Sequence, residues 1–338
     1  MSDNVKDSIR EAISDKESTD NVKKSIREVI SDEVCTIHLY LLLKKNGQYK
    51  LKVADVEDVA APELKSLFVS NLDSTIVNNG NLSIRSLSKD DETNTALYLY
   101  DYEDYPEELS IFKEFKVEEA INSEKFNFEE DSLSDLFAFI IYIGTMNKGV
   151  TLFKKHYPIA LIKRDSFLLG IKKSKHRFEK ISGEDIIRLN DSWQLMNLKG
   201  QLYIFDLKVL EKNLGFTKLI KRTAEETIEA IKHLEIVGNI EALSDEIEDI
   251  SFARKVARIQ VSSAVFQKNV PSETIIDFSK STPALSGQFK YSESGKQIIL
   301  STKKQKVALL RLLNDDFLHS ELTAKYYTAN SKDELGNK

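Results

Sequence analysis

Apolar positions along this chain follow a helical period at the N-terminus, a period of two through the middle and a helical period again toward the C-terminus. Val5, Ile9, Ala12 and Ile13 fall at i, i+4, i+7 and i+8, and Val22, Ile26, Val29 and Ile30 repeat that spacing. Each set makes one stripe on a helix, and Asp3 and Asp20 stand where N-caps belong. The two helices form a duplication: residues 3–15 and 20–32 agree at eleven of thirteen positions. Two repeats are too few to stack a core of their own. Their stripes require cover from the body of the protein, from a second copy or from a different protein.

From Val34 the alternation predicts a hairpin, Thr36–Lys44 and Gln48–Val53, with Asn46-Gly47 supplying the left-handed turn. A helix over Ala61–Leu72 and a strand over Ala96–Tyr100 follow. Strand patterns then recur over Phe137–Ile143, Val150–Phe153, Phe167–Lys173, Ile186–Leu189, Trp193–Leu198 and Leu202–Phe205. Helical spacing returns over Phe216–Leu234, Glu241–Glu248, Phe252–Phe266 and Lys304–Leu313, interrupted by a short strand pair, Gly287–Tyr291 and Gln297–Leu300. The expected class is α+β. The expected organisation is a pair of duplicated helices over 1–33, an acidic α/β domain over 34–150 and a basic strand-then-helix domain over 151–338.

Length supports that division, because 338 residues at 41% hydrophobic content can bury two cores. The one cysteine, Cys35, cannot form an internal disulfide, and the polar stretch Met1–Asp20 does not resemble a signal peptide, so a reducing cytoplasm is expected. The most apolar run, Leu136–Gly144, is nine residues long, against about 20 for a membrane-spanning helix. Charge changes the picture more. The net −6 is made of −13 over residues 1–150 and +7 over 151–338, and residues 151–222 hold 16 basic side chains against 7 acidic ones. Such a split suits a domain that faces a polyanion, since phosphate contacts dominate nucleic-acid affinity and depend on local basic patches. It equally suits two halves of one chain that attract each other.

Motifs for catalysis are sparse. Gly295-Lys296 is followed by Gln297, so there is no phosphate-cradling loop, and neither a dinucleotide fingerprint nor a nucleophile elbow occurs. The five histidines, His38, His156, His176, His233 and His319, are scattered singly, and the acidic run Asp101–Glu108 lacks calcium-loop spacing. No metal or cofactor is expected, and no enzyme. One pattern resembles a nuclease: Asp191 and Asp206 at predicted strand ends, followed by Lys208, could hold a magnesium ion and stabilise phosphate charge. The triplet Glu114-Phe-Lys116 shows how easily such spacing arises in a chain that is 30% charged, and a surface salt bridge explains it as well.

The basic residues form the more coherent set: Lys154, Lys155, Lys163, Arg164, Lys172, Lys173, Lys175 and Arg177, then Lys221, Arg222, Arg254, Lys255 and Arg258. On one accessible face they would neutralise several phosphates. The interleaved Phe153, Tyr157, Phe167 and Phe178 would stack on bases or, as aromatics more often do, fill a core. Without a helix-turn-helix or other reading motif, backbone binding with little sequence readout is expected.

Phe252-Ala-Arg-Lys-Val-Ala-Arg258 with Ser262-Ser263, then Leu309-Leu-Arg-Leu-Leu-Asn-Asp-Asp-Phe-Leu-His-Ser-Glu-Leu-Thr323 with Tyr326 and Ser331-Lys332, resembles the C-terminal signature of the KwaB-like family of the Kiwa anti-phage defence system. Leu202-Tyr-Ile-Phe205 ahead of Lys208 and Phe216 resembles that family's middle, so the likeness covers about residues 135 to 335. The N-terminal duplication departs from the family pattern. The resemblance implies a bacterial cytoplasmic protein that binds phage DNA and hinders its replication and transcription. It also implies a membrane-embedded Kiwa partner that detects infection and recruits this protein to the inner face of the membrane. It carries over no catalytic residue. A homodimer would suit the docking role and the uncovered N-terminal stripes.

Overall fold

The computed structural model describes residues 19–88, 96–157, 161–162, 171–173, 178–180, 186–187, 189–320 and 322–328, and the class is α+β. The first repeat of the duplication lies outside the described residues. The second is helical over residues 19–30 (α1), with Val22, Ile26 and Val29 buried, so its stripe is covered by the protein's own body. The predicted hairpin follows as β1 (Thr36–Lys45) and β2 (Gln48–Val53). Asn46 at φ 52° and Gly47 at φ 80° make the turn, the left-handed pair that matches the twist of the flanking strands. Helix α2 (Ala61–Leu72) opens on Pro62, which is pre-set for a first turn, and buries Phe68 and Leu72.

Next come β3 (Ser83–Ser86) and β4 (Ala96–Leu99), which pair in parallel, then α3 (Glu107–Lys113) and α4 (Val117–Ala120). The apolar run of the middle is β5 (Leu136–Thr145), and β6 (Lys148–Lys155) returns beside it. Residue 150 is therefore inside a continuous hairpin, where a domain boundary had been expected. Four short strands, β7 (Leu161–Ile162), β8 (Ile171–Lys173), β9 (Phe178–Lys180) and β10 (Ile186–Ile187), precede β11 (Leu195–Leu198) and β12 (Gln201–Ile204). The remainder is mainly helical: α5 (Leu207–Asn213), α6 (Phe216–His233), α7 (Glu241–Ser244), α8 (Ile250–Ser262), α9 (Ala264–Gln267) and α10 (Ser272–Ser281). The strand pair β13 (Lys290–Tyr291) and β14 (Ile298–Ile299), helix α11 (Lys303–Leu313), and the hairpin β15 (Phe317–Ser320) and β16 (Lys325–Thr328) complete it.

These elements form two compact units. One holds residues 20–82 and 111–209. Its strands lie in the order β2-β1-β5-β6-β11-β12, each antiparallel to its neighbour. Tyr40, Leu42, Ile140, Phe153 and Leu195 are fully buried there. Strand β5 is apolar almost throughout and β6 is buried over 150–154, the signature of a sheet covered on both faces. Among the described residues no helix is long and apolar enough to cross a membrane.

The other unit holds the described parts of 83–110 and 210–338. Helix α8 is its centre, with Phe252, Ala253, Val256, Ala257 and Ile259 buried, and it packs along α6, whose Phe216, Ile220, Ala224 and Ile231 are buried in turn. The helix predicted over 252–266 is broken at Ser263. That residue is extended (φ −75°, ψ 113°) and its Oγ accepts from the Phe266 N–H, capping α9. The hydroxyl also donates to the Leu313 carbonyl at 2.5 Å. The family-like motifs thus serve packing here: 252–258 is the core helix, Ser263 is a cap and a tie, and Leu309, Leu310, Leu312 and Leu313 are buried on α11.

Candidate nucleic-acid interface

Strand β6 delivers Lys154, Lys155 and His156 in succession where the chain leaves the sheet, and the chain comes back through Asn190, Asp191 and Ser192. Lys154 is buried. Its ammonium donates to the Ser192 carbonyl at 2.8 Å, to Ser192 Oγ at 2.9 Å and to Asn190 Oδ1. All three acceptors are neutral, and burial brings the ammonium pKa down to about 8 against a weaker opposing pull from Asp191. Lys155 donates to the Phe137 carbonyl at 2.8 Å and lies 3.7 Å from the centre of that ring. Burial, helped by the Lys44 charge, also brings it to about 8. His156 is buried and pushed toward its neutral form by burial and by Lys155. The returning chain is fixed from the other side, since Trp193 Nε1 donates to Asn71 Oδ1 at 2.8 Å and Asn71 Nδ2 to Asp191 at 3.1 Å. Lys154 therefore does not belong to the exposed basic face expected of it, and holds together the root of the segment that follows. Lys155 is half-buried and ties the end of β6 to β5.

That segment carries the densest charge. Residues 163–178 hold six Lys or Arg against one acid, Asp165. Its described backbone forms nested antiparallel rungs: Ile162 opposite Ile186 and Leu161 opposite Ile187 in β7–β10, and Lys172 opposite Glu179 and Lys173 opposite Phe178 in β8–β9. Lys163, Arg164, Lys175 and Arg177 lie outside the described residues. Of the strand predicted over 167–173, the described part is 171–173.

In the helical unit the predicted cations are mostly spent on acids of the same unit. Lys221 on α6 pairs with Glu248 at 2.5 Å, and Arg222 pairs with Asp104 at 2.9 Å and Glu226 at 3.8 Å. Arg254 on α8 is buried against Glu211, and burial lowers its pKa to about 10. Arg258, one turn on, acts electrostatically on the buried Tyr102 phenol. Lys255 is partly exposed. Two further cations escaped the sequence reading. Lys304 and Arg311 on α11 line a groove of about 360 Å³ floored by Val307, Ala308 and Phe317, and among the described residues neither has a carboxylate partner. Their spacing with Val307 and Ala308 is i, i+3, i+4, i+7, one helical face, so the signal was present in the sequence.

Within the nuclease-like trio, Asp206 Oδ1 accepts from the N–H groups of Lys208 at 2.9 Å and Val209 at 3.3 Å, which makes it the cap of α5. Asp191 is the partner of Asn71. In the acidic run Asp101 accepts from Ser86 Oγ and from the Ser88 N–H and hydroxyl, at 2.8 and 2.5 Å for Ser88. Among the described residues no group of three or more His, Cys, Asp or Glu is placed to hold a metal ion.

A family model described as "Kiwa protein KwaB-like" matches residues 133–323. The Kiwa protein KwaB of Escherichia coli O55:H7 is 28% identical over 290 residues, which is 85% of this chain and 90% of that protein. No solved structure matches.

Proposed function

Since this chain belongs to the Kiwa protein KwaB-like family, we propose that it is a non-enzymatic anti-phage defence effector that holds DNA by its backbone. In this reading it binds largely without sequence preference, obstructs phage replication and transcription, and works in the cytoplasm, as a homodimer, with a membrane-embedded Kiwa partner. The family relation supports the defence role and the existence of a partner. The observation that carries the DNA reading is the charge of residues 163–178, six cations against one acid, on a segment whose root is fastened by Lys154. With Lys154 buried, the candidate contacts concentrate on Lys163, Arg164, Lys172, Lys173, Lys175 and Arg177, with the half-buried Lys155 beside them.

The test is retention of a plasmid-length duplex at two salt concentrations by the intact chain and by a variant carrying Lys172→Glu, Lys173→Glu, Lys175→Glu and Arg177→Glu. Binding should weaken at both. The slope of log affinity against log salt should shrink by roughly 0.9 for each phosphate that is no longer neutralised. Unchanged affinity and slope would remove this segment from the interface. The same incubation with magnesium or manganese should leave the plasmid whole, and nicking would overturn the non-enzymatic part of the reading.

A further inference from the structure

Helix α1 sits in a defined seat on the sheet unit. Val22, Ile26, Val29 and Ser25 are buried in it, and three polar ties close its rim. Lys23 Nζ donates to the Asn79 carbonyl at 2.6 Å, Lys199 Nζ to Ser25 Oγ at 2.8 Å, and Lys148 pairs with Glu28 at 2.9 Å. The other copy of the repeat carries the same residue at every one of these places but one: Val5 for Val22, Lys6 for Lys23, Ser8 for Ser25, Ile9 for Ile26, Glu11 for Glu28. The thirteen-residue repeats differ only at Asp7 against Lys24, which is exposed, and Ala12 against the buried Val29.

We propose that this seat is a docking site for either repeat, and that residues 3–15 of the same chain are its second occupant. Reach is no obstacle. With the second repeat seated, five residues, 31–35, connect Ile30 to β1; with the first seated, residues 14–35 would span the same gap. The longer connection is about two doublings, which disfavours the first repeat by roughly tenfold. Ala12 in place of Val29 removes two methyl groups from a buried contact and disfavours it by roughly another tenfold. The second repeat therefore holds the seat at about a hundred to one, and the first takes it when the second is damaged or drawn away. In that state the stripe Val22, Ile26, Val29 and Ile30 is released as an uncovered helix face.

The experiment uses the full chain with Cys35→Ser and a short thiol–thiol cross-linker. Ser25→Cys with Lys199→Cys should cross-link within the chain and calibrates the seat. Ser8→Cys with Lys199→Cys should cross-link weakly at first and become the major product once Ile26→Asp is added, read by peptide mass. A mixture of isotope-labelled and unlabelled chains separates occupancy within a chain from exchange between chains. No cross-link from position 8 in the Ile26→Asp background, or one only between chains, overturns the proposal. Denaturation gives a second arm: Ile26→Asp should be clearly less harmful than Ile9→Asp with Ile26→Asp together, and Ile9→Asp alone should be silent. Equal loss in the single Ile26→Asp and double variants, including outright unfolding by Ile26→Asp alone, overturns it as well.

Discussion

In the sheet unit Lys154 is buried among neutral oxygens, whereas in the helical unit Arg254 is buried against the Glu211 carboxylate. The difference teaches how each unit tolerates an interior charge. Lys154 has a depressed pKa and hydrogen bonds that fasten the chain at Asn190–Ser192, so its role is to close a loop. Arg254 has a counter-ion, and neither member of that pair is acceptable without the other. The largest expected effect follows. Glu211→Ala leaves a guanidinium buried without its carboxylate and should lower stability by about 3–5 kcal/mol, read as a drop in the urea midpoint at constant slope. A loss under about 1 kcal/mol, the range of an exposed pair, would mean that Arg254 finds water or another acid, and the contrast between the units would collapse.

Lys154→Met should cost less, about 1–3 kcal/mol, because it leaves oxygens without a donor but also removes a charge from the interior. Its pH dependence sharpens the comparison. An unfolded lysine titrates near 10.4, so with a folded value of about 8 for Lys154 the unfolded chain binds more protons between these two values. Stability from this residue therefore rises as pH climbs from about 8 toward 10, and its desolvation cost is fully present below 8. Tyr40 and Tyr100, whose phenols burial pushes up, act in the opposite direction as the unfolded phenols begin to ionise. The comparison of wild type with Lys154→Met cancels them: between about pH 7.5 and 9.5 wild type should gain on the variant. Parallel curves would show that Lys154 is not desolvated as its burial implies.

Much of this architecture was legible in the residues. The hairpin of β1 and β2 announced itself through Asn46-Gly47, β5 through its continuous apolar run, and α6 and α11 through helical periodicity. What escaped was decided by contacts distant in sequence. A lysine in a strand pattern looks exposed, yet Lys154 is withdrawn because Asn190 and Ser192 are brought to it from 36 and 38 residues away. The break at Ser263 was hidden because apolar spacing continues across it, and the serine's tie to Leu313 is 50 residues distant. Helix α10 was missed for a local reason: Ser272–Ser281 buries only Ile275, Ile276 and Ser279, too narrow a stripe to stand out. The cap formed by Asp206 was not singled out because an acid after a strand fits a metal site and a helix cap equally well.

Asp206 yields the next smaller effect. As the cap of α5 it should contribute about 1 kcal/mol, so Asp206→Ala should shift the midpoint modestly while Asp206→Ser restores most of the loss. Recovery by serine separates a cap from a carboxylate needed for its charge.

The smallest effect is expected at Lys221, and it completes the series from buried to partly exposed cations. Its side chain is 28% exposed and that of its partner Glu248 84%, so water reaches and screens the pair. Exposed pairs contribute about 0–1 kcal/mol, and Lys221→Ala should fall in that range and fade further in high salt. If Lys221 instead belongs to the DNA surface, the same substitution should weaken duplex retention while leaving the urea midpoint nearly unmoved. A fall in the midpoint with unchanged retention would assign Lys221 to the fold of the helical unit and remove it from the set of candidate phosphate contacts.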